Sequence, residues 1–246
     1  MSIPIRRPAK DNEIVNTAMK SSCDVNVFQH RRILGKLGRS LFFGFEPKKS
    51  PKGIGFIIYP GTLVDVTAYA PIAKFLAEKG YHVALATPPL SLASFDFDLA
   101  DDIIKFGWKD DVKTWVVSGH SQGGAIACTY AKKRQGSKLK GVILLAAYAG
   151  DTTLLNGNLS ETDYKVLSIY GSVDGIALYD KVVVVGATRL PQDAKFVKIE
   201  GGNHTQFSYA EGLQESGEKK DGVPTITLEA QQELICNNVL EFLSHF

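Results

Sequence analysis

The sequence predicts one α/β domain built on a mostly parallel sheet, with helices on both faces and no large cap. Three observations lead there. Continuous apolar runs of strand length alternate with helical text along the chain, the pattern of parallel strands buried on both faces. One of those runs passes through a glycine-framed turn directly into a small-residue helix. The 246 residues and 44% hydrophobic content suit a single core of this kind.

Residues 1–23 are polar and read as a loosely held N-terminal arm ahead of a domain spanning 24–246. Residues 24–30 and 41–46 are short strand candidates that form an opening antiparallel pair. Residues 53–59 are unbroken apolar sequence, as a doubly buried strand requires. After Pro60-Gly61-Thr62-Leu63 a helix is expected over 66–79, closed by Gly80 where a left-handed cap is favoured. The next strand is 82–87, its exit broken by Pro88-Pro89. Helical text around 99–106 leads to the strand 114–118, and the helix 124–131 follows the glycine-framed turn. Residues 141–147, 166–170 and 195–199 supply further strands, and 228–246 reads as an amphipathic closing helix. In such a sheet ligands bind beyond the carboxyl ends of the strands.

Composition excludes several classes. A formal charge of +2 selects no partner, and Lys48-Lys49 and Lys132-Lys133-Arg134 read as solvated surface with no aromatic interleaving for nucleic acid. The first twenty residues lack the apolar stretch of a signal peptide, and no run is long enough to span a membrane. Cys23, Cys128 and Cys236 are odd in number and far apart, which favours reduced thiols and a cytoplasmic setting. Metal-ligand spacing, a phosphate cradle and a flavin signature are all missing, so neither metal nor cofactor is expected.

The chemistry concentrates at Gly119-His120-Ser121-Gln122-Gly123, a Gly-x-Ser-x-Gly turn between strand and helix, which is the pattern of a nucleophile elbow. The glycines leave room for the bend, because a Cβ at either would strike the adjoining strand and helix. A serine hydroxyl needs a base, and the base needs a partner that fixes its tautomer. Of five histidines, His30 lies near the N-terminus, His82 opens a strand, His120 is inside the elbow and His245 is at the chain end. His204, in Gly201-Gly202-Asn203-His204, alone follows the carboxyl end of a strand. The acid belongs between serine and histidine in chain order. Asp174, directly after the strand 166–170, is the candidate; Asp151, Glu161 and Asp163 precede that strand and Asp180 lies further along. Two backbone N–H groups should hold the oxyanion, one from Gln122 and one from Thr62, with Leu63 the alternative for the second.

Together these residues resemble the alpha/beta-hydrolase superfamily, and more closely alpha/beta hydrolase family five, which is akin to dienelactone hydrolases. The similarity runs from about residue 53 to the C-terminus. It is carried by Tyr59-Pro60-Gly61 with Val64-Asp65, by Ala68-Tyr69-Ala70-Pro71, and by the elbow with Gly124. Ser168-Ile169-Tyr170-Gly171 with Asp174-Gly175, and Gly201-Gly202-Asn203-His204 with Gln206-Phe207, complete it. The resemblance implies the alpha/beta-hydrolase fold with Ser121 as nucleophile, Asp174 as acid and His204 as base. Dienelactone hydrolases proper carry cysteine at the nucleophile position, so Ser121 favours ordinary ester chemistry. Residues 212–222 resemble an expanded, more charged version of a shorter family loop.

The stretch 149–165 is too short for a cap domain. Residues 88–98 and 207–225 remain to wall the site, the second as either a lid or an idle surface insert. Leu63, Leu90, Tyr148, Ile176 and Phe207 are the expected pocket residues. These walls, mostly apolar and without an arginine cluster, suit a small or medium uncharged ester. The leading expectation is a serine hydrolase acting through an acyl-enzyme on a small-molecule substrate. The alternatives are a non-catalytic ligand-binding protein of the same fold and a thioesterase or lactone hydrolase on the same triad.

Overall fold

The computed structural model describes residues 5–34, 37–106, 108, 111–150, 152 and 155–246. Among them, eight strands form one sheet in the order β1-β2-β4-β3-β5-β6-β7-β8. The strands are β1 (Val25–Leu34), β2 (Leu37–Pro47), β3 (Ile54–Tyr59), β4 (His82–Ala86), β5 (Thr114–His120), β6 (Leu139–Leu145), β7 (Lys165–Gly171) and β8 (Lys195–Ile199). From β4 to β8 every pairing is parallel, while β1–β2 and β2–β4 are antiparallel. The helices are α1 (Glu13–Ala18), α2 (Ala70–Glu78), α3 (Leu99–Phe106), α4 (Gln122–Lys133) and α5 (Leu228–Leu243).

The period of two in each strand splits the core into two layers. Phe56 and Ile58 of β3 pack on one face with Ile72 and Leu76 of α2 and Val239 of α5. Ile57 and Tyr59 pack on the other with Ile103 of α3 and Ile126 and Tyr130 of α4. Because both faces are covered, the inner strands are buried along nearly their whole length, which is why they read as unbroken apolar runs. The described residues between β6 and β7 build no cap domain.

Three local differences from the sequence reading have physical causes. The helix expected over 66–79 is two pieces, a 3₁₀ turn at Val66–Tyr69 capped by Asp65 and then α2. Pro71 stands in the first turn of α2, where its missing N–H costs nothing, but a continuous helix through it would lose a hydrogen bond. The opening hairpin is longer than the two short runs suggest, since its outer strand alternates polar residues such as Gln29 and Arg31 into solvent. Finally, residues 5–23 carry α1, capped by Asn12, with Val15 and Ala18 buried, and Arg6 bridges in parallel to Val64. Residues 1–4 lie outside the described part. Gly80 does close α2 with φ +94°, and a Cβ there would lie 2.5 Å from the Ser50 carbonyl oxygen.

Candidate active site

The turn between β5 and α4 holds Ser121 at φ 54° and ψ −123°. Close packing forces this bend. A Cβ on Gly119 would lie 2.1 Å from the Gly123 carbonyl carbon, and one on Gly123 would lie 2.5 Å from the carbonyl oxygens of Tyr59 and Pro60. A Cβ on Gly124 would meet the Ala147 Cβ at 2.4 Å. Small residues thus let α4 press onto the ends of β3, β5 and β6. No side chain caps α4, which leaves its first N–H groups, Gln122 among them, to whatever enters beside Ser121.

Asp174 and His204 meet on the loops after β7 and β8. His204 Nδ1 donates to Asp174 Oδ2 at 2.8 Å, and both side chains are essentially out of solvent. The other carboxylate oxygen of Asp174 accepts the N–H groups of Ile176 (2.8 Å) and Ala177 (2.7 Å). A carboxylate only accepts, so in the neutral ring the proton sits on Nδ1 and Nε2 presents a lone pair. That Nε2 is buried and meets no hydrogen-bond partner in the described part of the chain. The His204 ring lies against the elbow, 4.6 Å from the ring of His120, the residue before Ser121.

His120 is turned inward. Its Nδ1 shares a 2.8 Å hydrogen bond with the Tyr69 hydroxyl, which also accepts from Gly61 N–H at 3.0 Å, and its ring stacks on Phe207. Burial, with neighbouring His204 and Arg6 adding to it, holds the His120 imidazole well below its usual range, so it stays neutral. Cys128, two turns into α4, is fully buried, and burial pushes its thiol up to about 12. It is protonated at neutral pH and unsuited to nucleophilic work.

Ser121, Thr62, Gln122, Tyr148 and Ile176 share one cavity of about 400 Å³. An adjoining cavity of about 350 Å³ also includes Ser121 and Thr62 and adds Leu63, Arg6 and Gln214. Of the two candidate oxyanion donors on this loop, Leu63 N–H is committed to the Ser91 carbonyl at 3.0 Å. Leu90 and Phe207 line neither cavity. Leu90 sits at φ 55° in a tight turn and is half exposed, while Phe207 is buried in the 3₁₀ turn after His204. Among the competing acids, Glu161 and Asp163 precede β7 and Asp180 opens a π-helical segment, Asp180–Val185. Asp151 lies outside the described residues.

Sequence reasoning missed Arg6, Tyr69, Asp221 and Gln231 as parts of this site. Arg6 comes from the N-terminal arm and donates to Gln214 Oε1 at 2.9 Å and to the carbonyls of Glu211 and Gly212. Gln231 of α5 clamps the backbone of Asn203, its Oε1 accepting from the Asn203 N–H at 3.0 Å and its Nε2 donating to the Asn203 carbonyl at 2.8 Å. Arg6 and Lys219 place two cations in the cavity walls, which read as mostly apolar in the sequence. Nothing in the local text marks Arg6, Asp221 or Gln231, because each acts across a long chain separation, while Tyr69 stands in a motif that carries the family resemblance without a role assigned to it there.

A family model described as the alpha/beta hydrolase family matches residues 55–233. The chain belongs to the alpha/beta hydrolase family. Solved structures agree on the fold of this alpha/beta hydrolase. A "predicted CIB-like hydrolase" from Thermoplasma acidophilum superposes with a TM-score of 0.60 at 14% identity, covering 90% of this chain and 100% of that one. Carboxyl esterase 2 of the mycorrhizal fungus Tuber melanosporum gives 0.60 at 14%, covering 83% of each chain. A Pyrobaculum calidifontis esterase gives 0.56 at 17%, covering 78% and 80%. No curated protein matches this alpha/beta hydrolase. Family membership supports a hydrolase with a small-molecule substrate, and no helix among the described residues is long and apolar enough to cross a membrane.

Proposed function

We propose that this alpha/beta hydrolase is a serine esterase that cleaves small or medium uncharged carboxylic esters through an acyl-enzyme. The observation that carries the reading is the buried 2.8 Å His204–Asp174 pair lying against the strained turn that bears Ser121. In the proposed mechanism His204 Nε2 takes the Ser121 proton as Oγ attacks the ester carbonyl. Asp174 holds the imidazole in the needed tautomer and stabilises the imidazolium that forms. The N–H groups of Gln122 and Thr62 receive the oxyanion. His204 then protonates the departing alcohol, and a water activated by the same ring releases the acid. Apolar Ala125, Ala146, Ala147 and Leu155 in the larger cavity suit the uncharged part of such a substrate.

The unpaired thiols of Cys23, Cys128 and Cys236 suit a reducing compartment, and we place the enzyme in the cytoplasm on that ground. The test is turnover of a chromogenic short-chain ester by the Ser121→Ala variant. Turnover should fall by about 10³-fold or more, as expected when a triad member is removed. Turnover equal to the wild type would dismiss the assignment. A panel spanning acyl length, thioesters and lactones then ranks the substrates.

A further inference from the structure

Within the stretch 207–225, which read as either a lid or an idle surface insert, the segment 214–222 is tied by hydrogen bonds to the loops of Asp174 and His204. It forms a small hairpin, β9 (Glu215–Ser216) with β10 (Lys219–Lys220), and ends in Asp221. Asp221 is buried. Its Oδ1 accepts from Gly175 N–H at 3.2 Å, His204 N–H at 3.1 Å and Gly222 N–H at 2.8 Å, and its Oδ2 accepts from Thr205 N–H at 2.7 Å. A carboxylate that served only its own turn would bond its own loop. Here three of the four donors stand 46, 17 and 16 residues away.

Those donors belong to the residue after Asp174, to His204 itself and to the residue after His204. One carboxylate therefore ties the loop of the acid to the loop of the base. The approach is close enough to demand glycine on both sides. A Cβ on Gly175 would lie 2.2 Å from the Lys220 carbonyl oxygen, and one on Gly222 would lie 1.8 Å from that of Val173. Asp221 is held in turn, its N–H donating to the Gln214 carbonyl at 3.0 Å, while Gln214 N–H bonds Thr205 Oγ1 at 2.8 Å and its side chain takes Arg6. Burying an anion is costly unless donors replace its water, and these four N–H groups do so.

We propose that Asp221 is a positioning residue, whose carboxylate locks the Asp174 loop to the His204 loop and so keeps the imidazole aligned between its acid and Ser121. The proposal rests on the roles given above to Ser121, Asp174 and His204. It is tested on the full chain with Asp221→Ala and the near-isosteric Asp221→Asn, using two readouts. One is the downfield proton resonance of the His204 Nδ1–H held by Asp174. The other is the split of kcat and KM on a chromogenic ester.

The wild type should show the resonance. Asp221→Ala should lose it to exchange and drop kcat by about 10²-fold with KM little changed, the effect of a small misplacement of reacting groups. Asp221→Asn keeps one acceptor oxygen and should fall between, and it decides the matter should the alanine variant not fold. Lys220→Ala, altering an exposed neighbour, should leave both readouts intact. A folded Asp221 variant with full resonance and full kcat overturns the proposal, as does a wild type without the resonance. A wild type that shows the resonance but turns over no ester refutes the esterase reading alone, and its loss in Asp221→Ala would still support the positioning role.

Discussion

Ser121 holds a positive φ that non-glycine residues rarely adopt, a strain of about 1–3 kcal/mol. Nearby imidazoles are managed with equal care. His204 keeps Nε2 open, while His120 is spent on Tyr69 and kept neutral. His82, at the far end of the sheet, is also pushed down, chiefly by burial. These two shifts set a pH dependence. The unfolded chain protonates each imidazole near pH ~6.5, whereas the folded protein does so only at lower pH. Between those values the unfolded state binds more protons, so stability falls as pH drops through the window. Calorimetry should show Tm declining from pH ~7 to ~5, and His82→Leu should decline less steeply than the wild type. Equal slopes would mean that His82 does not titrate differently on folding. Ser121, Asp174 and His204 were readable as candidates because each follows a strand's carboxyl end in a fixed chain order. Asp221 was not, since in Lys219-Lys220-Asp221-Gly222 it looks like any charged turn and its partners are far away in sequence.

The β5–α4 unit is the element on which the site depends. Its glycines are matters of contact rather than flexibility, and this separates them from Gly136. Gly123→Ala would drive a Cβ into two carbonyl oxygens at the end of β3, next to the proposed oxyanion loop. It should cost about 1–3 kcal/mol and lower ester turnover per folded molecule. Gly136 has φ +77° and open space around it, so Gly136→Ala should cost about 1–2 kcal/mol from backbone strain alone and leave turnover intact. Denaturant melts alongside turnover check both, and unimpaired turnover in Gly123→Ala would mean that β3 yields without moving the site. The inner strands were legible because burial on both faces leaves an unbroken apolar run. The broken helix at Pro71, the extended hairpin β1–β2 and α1 were less so. Short or half-exposed elements draw their stability from tertiary contacts that leave little periodicity in the text.

The chain gathers its distant parts around one end of the sheet. Arg6 reaches from the N-terminal arm to the segment after β8, and α5 returns Gln231 to the loop of His204. The parallel part of the sheet makes this possible by delivering the exits of β3 to β8 to the same edge, which is why fold class and candidate site were predictable together. The walls were not, because Arg6, Gln214 and Lys219 enter them from segments whose reach depends on how the chain folds back. In the proposed mechanism Ser121, Asp174 and His204 converge to make an alcohol reactive. The most direct measurement is fluorophosphonate labelling of the folded protein, followed by mass spectrometry of the adduct. One adduct is expected on Ser121, abolished in His204→Ala. A folded protein that never labels, or that labels elsewhere, would contradict this mechanism.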